Sequence, residues 1–256
     1  MQTEIVSPDG ARLATRVRGE GPPVVLVHGA SSTSADWSGV ARLLADAHRV
    51  VAYDRRGRAG STDGPSYSFA REVEDLHAVL AWVGEPAHVV GHSFGARVAL
   101  AAAPDADLRT LTLYEAPVAP DLVPAEVFAR ARAAHESGDW EGVLQAFQPA
   151  AGMTQDEIDF CVALPQVRES QRDAARRLQR ELDALPSRLE PPAPLDVPVL
   201  YLVGGLTDSP VYLEGLDEVV AALRADRVEL PGQRHIGMAG DPQGFAAALR
   251  PHLARG

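Results

Sequence analysis

Four side chains in this sequence have the types and settings for acyl chemistry: Ser93, His235, Asp208 and Glu115. Ser93 is the centre of Gly91-His92-Ser93-Phe94-Gly95, with the apolar run Ala87-His88-Val89-Val90 before it and the Ala-rich Ala96-Arg97-Val98-Ala99-Leu100 after it. A short β-rich run becoming a helical run at a Ser flanked by two Gly predicts a nucleophile elbow, a turn so tight that the positions two before and two after the Ser must be small. Serine alone is a poor nucleophile near neutral pH. It needs a base for its proton, and the base needs a carboxylate to fix its tautomer and steady the imidazolium.

His235, in Pro231-Gly232-Gln233-Arg234-His235, follows the last predicted strand and is the candidate base. His92 lies inside the elbow and His28 beside a turn, settings that suit structural hydrogen bonds, and the other five histidines have no comparable position. Asp208, just past the strand 199–203, is the preferred acid, completing the order Ser, acid, His that is associated with this elbow. Glu115 is the alternative: it also ends a strand, the one immediately after the elbow unit. Phe94 N–H, at the first turn of a helix, and Ala30 N–H, in His28-Gly29-Ala30-Ser31-Ser32, are the candidate oxyanion donors.

These residues require a scaffold that brings strand ends together. Residues 2–6 and 11–17, joined by Ser7-Pro8-Asp9-Gly10, read as a hairpin. Val24-Val25-Leu26-Val27 and Val199-Leu200-Tyr201-Leu202-Val203 are uninterrupted apolar runs, as expected of strands buried on both faces, and further strands are predicted at 48–54, from Ala87 up to the elbow, 108–115 and 227–230. Helices are predicted at 35–45, 68–83, from Phe94 onward, 211–223 and 242–253. Alternation of this kind predicts an α/β fold, a mostly parallel doubly wound sheet of about eight strands, whose carboxyl-end loops converge on one crevice. Between strands six and seven, residues 118–197 are Pro-punctuated and helical, with segments at 124–136, 139–147, 154–164 and 167–185. The expected organisation is a core of 1–117 and 198–256 with 118–197 as a helical lid. Its Trp140, Phe147, Met153, Ile158 and Phe160 are candidates for an acyl pocket, with plain core packing as the alternative. Arg55-Arg56-Gly57-Arg58 suggests either an anion site or a loop braced by ion pairs, and bracing is preferred.

A formal charge of −11 argues against a nucleic-acid surface, which needs clustered Lys and Arg. The single Cys161 permits no internal disulfide and no Cys-x-x-Cys metal or redox pair, consistent with a reducing compartment. The first residues have neither a basic start nor an apolar core, and no window approaches about 18 apolar residues, so a cytoplasmic location and no membrane partner are expected. A small-molecule substrate is the expected partner, with no cofactor and no metal; the oligomeric state is left open.

Val27-His28-Gly29-Ala30, Tyr53-Asp54-Arg55-Arg56-Gly57-Arg58, the elbow, Gly205-Leu206-Thr207-Asp208 and Gly232-Gln233-Arg234-His235 together make the chain resemble the α/β-hydrolase superfamily over nearly its whole length. The resemblance implies that fold and a serine hydrolase acting on an ester, lactone or thioester of a small, mostly apolar substrate. A perhydrolase, lyase or cyclase on the same site, or a non-catalytic ligand-binding protein, are the rival expectations. The chain also resembles a subgroup in which strand six ends in a Tyr-Glu-Pro-Pro-like run and the strand-seven loop reads Gly-Gly-x-Ser-Pro, matched by Tyr114-Glu115-Ala116-Pro117 and by Gly204-Gly205 with Ser209-Pro210. In that subgroup strand six can supply the acid.

Overall fold

Alternate residues of each central strand face opposite sides of a sheet, so an all-apolar strand must be covered twice. The computed structural model describes residues 1–163, 165–185, 189–190 and 194–255, and it shows this directly. In β3 (Pro23–Val27), Val25 and Val27 join one hydrophobic layer, and Val24 and Leu26 the other. The sheet comprises β1 (Gln2–Val6), β2 (Arg12–Arg18), β3, β4 (Arg49–Tyr53), β5 (Ala87–His92), β6 (Leu108–Tyr114), β7 (Val199–Gly204) and β8 (Asp226–Leu230), in the spatial order β1-β2-β4-β3-β5-β6-β7-β8. Strands β3 to β8 run parallel, while β2 is antiparallel to β1 and β4. The predicted hairpin and parallel core are therefore both present.

One face is covered by α2 (Phe69–Val83) and α3 (Phe94–Ala102), the other by α1 (Ser38–Leu44) and the C-terminal helix. The first layer packs Leu76, Val79, Phe94 and Val98 onto Val25, Val27, Val89 and Leu113. The second packs Trp37, Leu44, Phe245 and Leu249 onto Val24, Leu26, Val90 and Leu202. Helix α2 starts at Ser68, whose side chain accepts the Arg71 N–H, and ends at Gly84 in the left-handed region.

Between β6 and β7 come α4 (Ala125–Ser137), α5 (Trp140–Ala150), α6 (Gln155–Ala163) and α7 (Pro165–Ala184); α5 and α7 share a small core of Val143, Leu144, Ala175 and Leu178. After β7 the expected single helix at 211–223 is two: α8 (Pro210–Leu213) and α9 (Leu216–Leu223), parted at Gly215, whose φ of +80° no right-handed helix accommodates. The short α10 (Gly237–Gly240) and α11 (Pro242–Leu253) close the chain. Likewise 35–45 is a 3₁₀ turn followed by α1.

The Arg-rich loop is braced, as preferred from sequence. Arg55 is fully buried and donates from Nε and Nη2 to both carboxylate oxygens of Glu72, from Nη2 to Glu181 on α7, and from Nη1 to the Gly29 carbonyl. Arg56 makes a two-pronged pair with Asp75 at 2.7 Å and bonds Asp9 at 2.9 Å, and Arg58 donates to the Ala174 carbonyl at 2.7 Å and pairs with Glu181. No helix among the described residues is long and apolar enough to cross a membrane.

Candidate active site

The elbow forms because its geometry excludes every side chain but hydrogen at two positions. A Cβ on Gly91 would stand 2.6 Å from Ala96 Cα, and one on Gly95 would stand 2.5 Å from the carbonyls of Val27 and His28. Ser93 itself has φ +53° and ψ −120°, a strained conformation for a residue with a side chain, and its N–H donates to the Tyr114 carbonyl at 2.9 Å. Phe94 follows as the first residue of α3, so its N–H is one of the donors a helix leaves without an internal partner. The Gly29 turn presses against the same spot: a Cβ there would meet Ser93 Cβ at 3.1 Å and His92 Nδ1 at 2.9 Å. Ala30, next in the chain, lines the cavity around Ser93.

His235 lines that cavity too and is 6% exposed. Its loop is held at two carbonyls: His92 Nε2 donates to the His235 carbonyl at 2.8 Å, and the Tyr114 hydroxyl donates to that of Arg234 while accepting the Gly237 N–H at 2.9 Å. Burial holds His92 well below the ordinary imidazole pKa, so it acts as a neutral donor in this pin.

The carboxylate facing His235 is Glu115. Its Oε2 lies 2.6 Å from His235 Nδ1, and its Oε1 accepts the Gly204 N–H at 2.8 Å and the Thr207 hydroxyl. Glu115 is fully buried, and its backbone takes φ +44°, a kink that turns the side chain off the end of β6. Asp208 is elsewhere. Its side chain is 78% exposed and accepts from Arg234 at 3.2 Å. The preference for Asp208 beside His235 is therefore corrected in favour of the alternative, Glu115. The loop after β7 folds back through Thr207 N–H to the Gly204 carbonyl and Leu206 N–H to the Gln233 carbonyl; this turns Thr207 inward to Glu115 and the next residue outward.

With Nδ1–H donated to Glu115, His235 Nε2 is left as an acceptor. The Tyr212 hydroxyl, on α8, lies 3.1 Å from Nε2 and reaches the Ala151 carbonyl at 3.1 Å, while its ring stacks on the imidazole at 4.4 Å. Burial pushes this phenol well above its ordinary pKa, so it remains protonated. The only sequence signal is its place two residues after Pro210, within a stretch that reads as ordinary helix.

Of the apolar candidates between β6 and β7, Phe147 and Met153 line the cavity with Ser93. Trp140 packs instead beside His135 and under Arg176, in the small core of these helices, and Ile158 borders a neighbouring cavity. The side chain of Phe160 lies outside the described residues. No group of three or more His, Cys, Asp or Glu suited to a metal occurs among the described residues.

Comparison with known proteins agrees with this architecture. Residues 24–248 match the alpha/beta hydrolase family. An alpha/beta hydrolase from Sphaerobacter thermophilus superposes with a TM-score of 0.86 at 30% identity, covering 98% of this chain and 100% of that one. A thermophilic esterase from Thermogutta terrifontis gives 0.77 at 23% identity over 99% and 98%, a likeness of fold. A probable oxidoreductase, EphD, of Mycobacterium tuberculosis is 41% identical over 103 residues, 37% of this chain but only 17% of that much longer protein. From the elbow, the eight-stranded sheet and a match spanning most of its length, the chain belongs to the alpha/beta hydrolase family.

Proposed function

We propose that this chain is a serine hydrolase that cleaves an ester, lactone or thioester of a small, mostly apolar substrate through an acyl-enzyme, with Ser93 as nucleophile, His235 as base and Glu115 as the orienting acid. The observation that carries the reading is the 2.6 Å contact of Glu115 with His235 Nδ1, in a histidine that lines the same cavity as Ser93. His235 Nε2 takes the Ser93 proton as Oγ attacks the carbonyl, and the oxyanion is held by the N–H groups of Phe94 and Ala30. The imidazolium then protonates the leaving oxygen or sulfur. Water, deprotonated by the same nitrogen, attacks the acyl-serine and releases the acid.

Tyr212 has one proton and two acceptors in reach, Nε2 and the Ala151 carbonyl. When Nε2 gains a proton the roles reverse: Tyr212 donates to Ala151 and its oxygen accepts from Nε2–H. It thus meets the imidazole in both protonation states. The helices between β6 and β7 act as the lid, bringing Phe147 and Leu182 to the cavities beside Ser93.

A fluorophosphonate probe tests the nucleophile: it labels the wild type and leaves Ser93→Ala unlabelled, and labelling that survives the substitution removes Ser93 from the role. Comparing two acid variants tests the rest. Glu115→Gln is expected to lower kcat for a p-nitrophenyl ester by about 10⁴-fold, the cost of losing an orienting carboxylate, whereas Asp208→Asn leaves it within twofold. The reverse ranking would return the acid to the strand-seven loop.

A further inference from the structure

Ser93 lies where two cavities meet, and both are lined by Ala30, Ser93, Phe147 and Ala151. One, of about 200 Å³, is walled by apolar groups including Val123, Phe128, Leu182 and Val211. The other, of about 260 Å³, contains His235 together with Ser31, Asp36, Gln148 and Gln171. His235 is in the lining of the second cavity and not of the first. In acyl transfer the imidazolium protonates the departing group, so the leaving group occupies the chamber that His235 faces and the acyl arm occupies the apolar one.

Two acceptors stand among the polar groups of the leaving-group chamber, beside the hydroxyls of Ser31, Ser32 and Thr33. Gln171 is 9% exposed, and its Oε1 is buried with no hydrogen-bond partner among the described residues, an acceptor waiting for a donor. Asp36, the one carboxylate among the described lining residues, takes the Ser32 hydroxyl on Oδ2 and offers Oδ1 as a second acceptor. Gln148, 3% exposed, and Gln171 also border an adjoining cavity of about 260 Å³ that carries Glu141 and Asp159 against a single Arg172, so the surroundings continue acidic beyond the two amides. The net charge of −11 acts in the same direction on an approaching cation.

We infer that this chamber selects leaving groups bearing a cationic hydrogen-bond donor, of the alkylammonium-alcohol kind, through the Asp36 carboxylate and the Gln171 amide oxygen. The inference rests on the acyl-transfer reading above. The test compares two butanoate esters of nearly identical shape, those of 2-(dimethylamino)ethanol, protonated at neutral pH, and of 3-methylbutanol, which has carbon in place of nitrogen. The expected kcat/KM ratio favours the ammonium ester by about tenfold or more, the range of one hydrogen bond to a charged group, and falls toward unity in Gln171→Leu and in Asp36→Asn. A wild-type ratio near or below one, or a ratio that persists in either variant, overturns the inference and leaves acyl transfer standing. Turnover of neither ester while fluorophosphonate still labels Ser93 overturns it alone; turnover of neither with Ser93 unlabelled removes both.

Discussion

At the scale of single residues, the choice between two carboxylates is decided by a turn that sequence order does not reveal. Asp208 and Glu115 both follow strands, and the chain order Ser, acid, His accommodates either. What separates them is the kink at Glu115, φ +44°, and the inward turn of Thr207, whose hydroxyl and the Gly204 N–H satisfy the carboxylate on the side away from His235. Neither feature has a compositional mark, since Glu at positive φ is uncommon. Ser93 and its two glycines were legible because the elbow excludes a Cβ at both positions. Tyr212 was not, because a buried Tyr in a short helix reads as core. Its contact with His235 Nε2, the base of the proposed proton transfer, makes Tyr212→Phe informative: kcat is expected to fall by about tenfold, the range of a hydrogen bond to a charged group, with KM nearly unchanged. A variant that changes KM alone would place Tyr212 in the pocket wall and nothing more.

At the scale of elements, the strands were read closely because an apolar run in a parallel sheet is dictated on both faces. Helix limits were less legible: Gly215 breaks 211–223 through backbone geometry, whereas a lone Gly in a helical pattern is otherwise tolerated. The Arg-rich loop was read correctly as a brace, but its partners lie far along the chain, on α2 and α7, where sequence proximity gives no guidance. Glu181 on α7 is fully buried and pairs with Arg55 and Arg58, also fully buried, from the loop after β4. Replacing one member leaves buried charge without compensation. Glu181→Gln is therefore expected to lower unfolding stability by about 3–5 kcal/mol in urea titrations and to open the segment between β6 and β7 to limited proteolysis before the sheet. Unchanged stability and protease resistance would show that the pair is dispensable to the docking of α7.

At the scale of the whole molecule, buried histidines set a common response to acid. Burial lowers the pKa of His28 and His92 well below the ordinary value and pushes His88 down to about 4 from an unfolded value of 6.5. Above pH 6.5 the folded and unfolded chains carry these rings alike and stability from them is complete. As pH falls below 6.5 the unfolded chain binds more protons, so stability declines, and the His88 share of the loss levels off near pH 4. The urea midpoint is expected to drop steadily between pH 6.5 and 4. A midpoint independent of pH across that window would contradict the neutral, buried state of these rings.

Arg55 joins this molecule-wide frame to the reacting centre. One guanidinium holds the Gly29 carbonyl, adjoining Ala30, while gripping Glu181 on α7. Access and competence are consequently interlocked: swinging α7 away to admit a bulky guest would slacken the very turn whose amide is proposed to hold the oxyanion. Guests small enough to enter without unseating that helix would be processed at full rate, so size discrimination would arise from a tether outside the pocket, and not from the walls alone.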